Sequence, residues 1–198
     1  MRLLFYLSAA IAFLVSCSSS PGEKNSENEI NGPDTVKKEK PLFFPVTAYI
    51  QGQLFDIKEK GVTPLKYTTI KNHTDSAWIQ ITDMPAAVKE FLYPEIDSNN
   101  LVSLFGEKRF LDQTINAFTF TYDPTGVLPD SMQLKHWDVY INPETNKVKR
   151  VFIKKEIEGK KTMLLTWQSD RYCMIVTILN MPDGSSIIEK EEKIMWDF

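Results

Sequence analysis

The chain has 198 residues, 42% of them hydrophobic, which is enough for one domain with a real core. Its formal net charge of −3 argues against a nucleic-acid binder, which would show a basic stripe. Neither of the two histidines belongs to a metal-type spacing such as H-E-x-x-H, and no metal or cofactor is expected. In chain order, Arg2 and the α-amine come first as a short positive region. An apolar run of 13 residues follows, from Leu3 to Val15. A membrane-spanning helix needs about 20 apolar residues. The run is therefore too short to span and reads as the core of a secretory signal.

Directly after it, Leu14-Val15-Ser16-Cys17 resembles a bacterial lipobox. The resemblance implies a diacylglyceryl group on the Cys17 thiol, cleavage before Cys17, and a third acyl chain such as palmitate on the new amine. Residues 1–16 would then be a signal peptide. Two or more acyl chains hold a protein firmly on a bilayer. The expectation is a lipid-anchored protein of the cell envelope, on the outer membrane facing the periplasm, that sits on the membrane without crossing it. With Cys17 acylated, Cys173 has no partner in the chain, so no intramolecular disulfide is expected. The stretch "DRYCMIVTI" reads as a strand, which makes Cys173 a small buried hydrophobe rather than a reactive thiol.

Residues 17–41 comprise the lipidated cysteine and a flexible tether, "SSSPGEKNSENEINGPDTVKKEKP". Too few apolar residues occur there to offset the entropy of ordering. A coil of that length spans about 25–30 Å.

Residues 42–198 are expected to form a single α+β domain. In "FPVTAYIQGQLFDIKEKG", Phe43, Val46, Ile50, Leu54 and Ile57 fall on one helical face, with Pro45 at the start and Gly61 as a stop. "LKYTTIK" and "SAWIQI" read as strands around the turn "NHTD". "DMPAAVKEFL" reads as a short helix capped by Asp83, with Pro85 in its first turn. "SNNLVSLFGEKRFL" suggests another short helix ending near Gly106. Strands then follow in "NAFTFTYD", "LKHWDVYI", "KVKRVFIKKEI", "TMLLTWQ", "RYCMIVTIL" and "SIIEKEEKIMWDF", joined by short Asn-, Asp-, Pro- and Gly-rich turns. Short turns imply antiparallel pairing. The expected architecture is a curved antiparallel meander of about six to eight strands packed on N-terminal helices. "RYCMIVTI" is apolar on both faces, which suggests a central strand covered on both sides.

Motifs for chemistry are missing from the sequence: no G-x-S-x-G, no P-loop, no G-x-G-x-x-G and no metal-type histidine spacing. His73 lies in an expected turn and His136 in a strand beside Trp137. "DTV", "DSA" and "DSM" resemble the Asp-Ser/Thr-apolar O-glycosylation motif of some gram-negative envelope proteins. That resemblance implies Thr35, Ser76 and Ser131 as modification sites, with Thr35 the best exposed. Ile194, Trp196 and Phe198 alternate at the C-terminus, as outer-membrane β-barrels often end. Against a barrel stand the lipobox, the helical first third, and charge on both strand faces: Lys147 and Lys149 on one, Arg150 and Lys154 on the other.

Three functions fit this layout. The first is a non-catalytic binding or assembly lipoprotein, similar in signal, tether and α+β domain to small envelope lipoproteins, with an envelope protein or an apolar ligand as partner. The second is a carrier of lipid or another apolar ligand, because curved sheets over helices resemble the LolA/LolB-type lipoprotein carriers. Phe118, Phe120, Trp137, Tyr140, Phe152 and Trp167 would line its cavity. The third is a hydrolase using the carboxylate pairs Glu156/Glu158 or Glu189/Glu191. These segments also carry Lys154, Lys155, Lys160, Lys161, Lys190 and Lys193, so they read as solvated mixed-charge faces.

Overall fold

The computed structural model describes residues 43–97 and 100–197. The signal segment 1–16, Cys17, the tether to residue 41 with its Thr35, and the terminal Phe198 lie outside the described residues.

Helix α1 (Val46–Glu59) forms as the sequence suggests, with Val46, Ile50 and Ile57 buried and Leu54 half-buried. Pro45 is its N-cap, where the missing N–H costs nothing. Gly61, just past the end, takes φ 66°, a conformation that favours glycine. Strands β1 (Leu65–Ile70) and β2 (His73–Trp78) then form a hairpin. Its turn is Lys71-Asn72, with φ 46° and 66°. Two positive φ values make the type I′ turn that matches strand twist. His73 is therefore the first residue of β2 rather than part of a turn, and β2 ends at Trp78 instead of running on to Ile81.

The stretch "DMPAAVKEFL" folds as two four-residue helices, α2 (Met84–Ala87) and α3 (Lys89–Leu92), broken at Val88. Asp83 makes no side-chain capping bond. It ends a 3-10 turn and keeps helical dihedrals (φ −93°, ψ −10°) in place of the extended ones a capping residue takes. Residues 100–104 are bends and turns, not the expected helix, and β3 (Phe105–Asp112) follows at once. "GEKRFL" lacks strand alternation; its conformation is set by pairing with β4 (Ala117–Pro124) along its whole length, from Phe105↔Pro124 to Asp112↔Ala117.

The remaining strands lie where the turn signals place them: β5 (Leu134–Ile141), β6 (Val148–Ile157), β7 (Lys161–Gln168), β8 (Tyr172–Asn180) and β9 (Ser186–Met195). From β3 to β9 each strand pairs antiparallel with the next, and β9 also pairs with β1. The order is β2-β1-β9-β8-β7-β6-β5-β4-β3. The fold is thus dominated by one open antiparallel sheet of nine strands, with few helices; the extra strand is β3.

One register row shows how the faces divide. Tyr122, Trp137, Ile153, Leu165 and Ile175 are successive cross-strand partners, and all five are buried. Phe43 meets Tyr122 and Trp137 edge-on at 5.0 and 6.0 Å, and Phe91 of α3 meets Trp167 at 5.4 Å. On the opposite face of β8, Met174 and Val176 are only half-buried, so that strand is not covered equally on both sides. Among the described residues no helix is long and apolar enough to cross a membrane.

Candidate functional site

Val151, Ile153 and Lys155 alternate along β6 and all three are buried. A residue two positions on shares the strand face, so the periodicity that buries two hydrophobes carries Lys155 in with them. Its side chain is only 2% exposed, against the solvated position expected for it. A buried ammonium needs partners, and α3 supplies them: Lys155 Nζ donates to the Glu90 carbonyl oxygen at 2.5 Å and to Glu90 Oε2 at 3.0 Å. Burial depresses the Lys155 pKa, partly offset by the Glu90 hydrogen bond and charge. These two residues help to line a cleft of about 540 Å³. Tyr93, Pro94 and Met132 wall it, with Lys89, Ser131 and Gln133 around them. An ammonium has three donors, and two are used here.

A second cluster lies on the other face of the sheet. His136, Asp138 and Tyr140 stand at alternate positions of β5, beside Thr121 and Asp123 of β4. His136 Nδ1 is 2.9 Å from Asp123 Oδ1, and Nε2 is 3.1 Å from Asp138 Oδ2. Thr121 Oγ1 and Tyr140 Oη donate to Asp138 at 2.6 and 3.1 Å, and Lys108 Nζ is 3.0 Å from Asp123. The carboxylates grip opposite nitrogens of one ring and so do not converge on a point. Among the described residues no group of His, Cys, Asp or Glu is suited to hold a metal.

The hydrogen bond to Asp138 raises the His136 pKa above 6.5; burial opposes this, and Asp123 adds to the rise. Burial pushes the Asp138 carboxyl up, but bonds from His136 and Thr121 hold it below 3.8 overall. Lys108 and then His136 hold Asp123 below its ordinary value as well. A raised histidine stabilises the fold fully below its unfolded pKa and loses that contribution as pH rises through the folded value. The lowered carboxylates contribute above 3.8 and lose it as pH falls. The melting-temperature difference between the parent and His136→Gln should therefore be largest at about pH 5–6 and shrink on either side. A difference that stays flat between those limits and alkaline pH would show that the ring is not charged in the fold.

The other sequence candidates are dispersed. Ser76 is exposed on the edge strand β2, and Ser131 is exposed at the cleft rim. His73 is exposed, 3.3 Å from Asp75. Cys173 is 1% exposed, and burial raises its pKa strongly. The six aromatics do not gather around one cavity. Trp137 and Trp167 are fully buried, Phe118 is exposed, and Tyr140 and Phe152 lie on the opposite sheet face from Trp137. The carboxylate pairs do not form acid–base sites either. Glu158 sits in the β6–β7 turn at φ 50°. Glu189 is the extra residue of a bulge, since Thr177 pairs with Lys190 and Ile178 with Ile188; it binds Lys161 at 2.8 Å. The second cluster had a readable signal, His136-x-Asp138-x-Tyr140 on one strand face; for the first, only the strand face of Lys155, in step with Val151 and Ile153, could be read, not its Glu90 partner. No family model, curated protein or solved structure matches the chain.

Proposed function

We propose that this chain is a lipid-anchored protein of the bacterial envelope whose domain binds a partner without chemically transforming it. The lipobox-like Leu14-Val15-Ser16-Cys17 supports the anchor. The Lys155 cleft carries the binding reading. It brings to its lining the Lys155 ammonium, which has one donor beyond the two that Glu90 takes, the apolar surfaces of Tyr93, Pro94 and Met132, and room for a small molecule. A compact apolar ligand with one acceptor group fits that chemistry. We read the sheet as curved and wrapped over the N-terminal helices, supported by the Phe43–Trp137 and Phe91–Trp167 contacts. Those same rings fill the helix side of the sheet, which favours binding at the cleft over carriage of lipid inside the sheet.

Two measurements test the halves separately. Cys17→Ala is expected to leave the chain at precursor mass and without lipid, as read by intact mass spectrometry; a processed and acylated variant removes the anchor. Native mass spectrometry of the full chain recovered from envelopes should show a retained small-molecule mass that Lys155→Met loses. A parent chain that never retains one, while turning over a substrate, sinks the binding reading.

A further inference from the structure

Among the described residues no strand pairs with the outer side of β3, at one end of the sheet, and the ladder determines which backbone groups face that side. The Thr125 N–H bonds the Leu104 carbonyl at 2.9 Å, at the start of the β3–β4 register. Antiparallel pairs alternate between bonded and non-bonded. Gly106, Lys108 and Phe110 therefore direct their backbone groups toward β4, and Glu107, Arg109 and Leu111 direct theirs to the open edge. The Phe105 N–H is taken by the Leu101 carbonyl at 3.0 Å, which leaves its carbonyl for that edge. Beside the charged Glu107, Lys108 and Arg109, two large hydrophobes of the strand are exposed: Phe110 is 51% exposed and Leu111 47%. Long apolar edges invite another strand.

We propose that the free edge of β3 pairs antiparallel with β3 of a second copy of this chain, about a two-fold axis at Lys108. The charges select that register. Outward-facing residues must meet outward-facing residues. Centred on Lys108, Glu107 lies opposite Arg109 of the partner, twice. Each neighbouring allowed register also sets one like pair on itself, Glu107 on Glu107 or Arg109 on Arg109, but has no opposite-charge pair across the axis to offset it. Within one copy Arg109 already bonds Glu107, so the pairing joins two such ion pairs into a ring of four charges. The same register sets Phe110 across from Gly106, where an aromatic covers the glycine, and Leu111 across from Phe105. It also places Lys108 opposite Lys108; each is neutralised by its own Asp123 at 3.0 Å.

Directly opposite residues of a non-bonded pair lie about 4.5 Å apart at Cα, within disulfide reach. In the full chain, oxidised in envelope membranes, Lys108→Cys should give a cross-linked dimer at least about tenfold above Glu144→Cys in the exposed β5–β6 turn. The parent chain controls for Cys17 and for the buried Cys173. Adding Arg109→Glu sets two carboxylates face to face and should abolish the cross-link, whereas Arg109→Lys should keep it. Leu111→Pro removes an edge N–H without touching the β4 ladder and should also abolish it, with each variant's melting temperature checked against the parent. Equal cross-linking at 108 and 144, or a Lys108→Cys dimer indifferent to both edge variants, overturns the proposal.

Discussion

Replacing Trp137 or Trp167 by alanine is expected to lower the unfolding free energy by roughly 3–5 kcal/mol, a large share of the total for a domain of this size. Both indoles are fully buried. Trp137 stacks on Tyr122 at 4.5 Å with the planes 8° apart, and also meets Phe105 at 4.8 Å and Phe43 at 6.0 Å. Those rings come from β4, the start of β3 and the segment entering α1, so the cavity left by truncation would open among three elements that cannot all close over it. Trp167 lies between Phe91 at 5.4 Å and Trp196 at 5.1 Å. Denaturant midpoints near the parent value for both variants would overturn the assignment of these rings as the core of the fold.

Glu90→Ala and Lys155→Met should differ sharply, although each removes one half of the same ion pair. Taking away the carboxylate leaves a nearly inaccessible ammonium with only the Glu90 carbonyl, and breaking a buried pair costs roughly 3–5 kcal/mol. The surviving carbonyl bond and the 28% exposure of the Glu90 side chain place this variant at the low end of that range. Lys155→Met instead removes the charged terminus and keeps an unbranched chain of nearly the same volume, and the abandoned carboxylate can turn to water. A volume-conserving change of this kind costs under about 1.5 kcal/mol. Chemical denaturation of the two variants checks the order; equal losses would mean that the pair is not held as a buried one. Because Lys155→Met is expected to stay folded, it also serves as the variant for the ligand measurement.

The strands β5 to β9 were legible because period-two alternation and turn residues agree there. Asn, Asp and Gly stand where a tight reversal is needed, and the buried row from Trp137 to Ile175 follows from counting by twos. β3 was not legible, since Glu107, Lys108 and Arg109 carry no alternation and the strand exists by its pairing with β4. The β1–β2 turn was read as the four residues Asn72–Asp75, all of them suited to turns, whereas the positive φ of Lys71 and Asn72 makes the reversal there and leaves His73, Thr74 and Asp75 in β2. The cleft was hidden for a different reason. A lysine is expected in solvent, and what draws Lys155 inside is a carboxylate 65 positions away, in a helix whose place against β6 no local pattern shows.

The pairing of β9 with β1 is the one join in the sheet between strands distant in sequence. It sets an order on folding. A chain emerging N-terminus first makes the β1–β2 hairpin early, yet that hairpin has no neighbour to dock on until residues 186–195 appear at the far end. The meander can zip strand by strand as it is made, each closure spanning a short loop, whereas joining β1 to β9 closes a loop of more than a hundred residues and pays the larger entropy of doing so. β9 is thus the keystone between the two halves of the sheet: a chain cut short before it would keep a partial meander and a detached hairpin, with no strand to connect them.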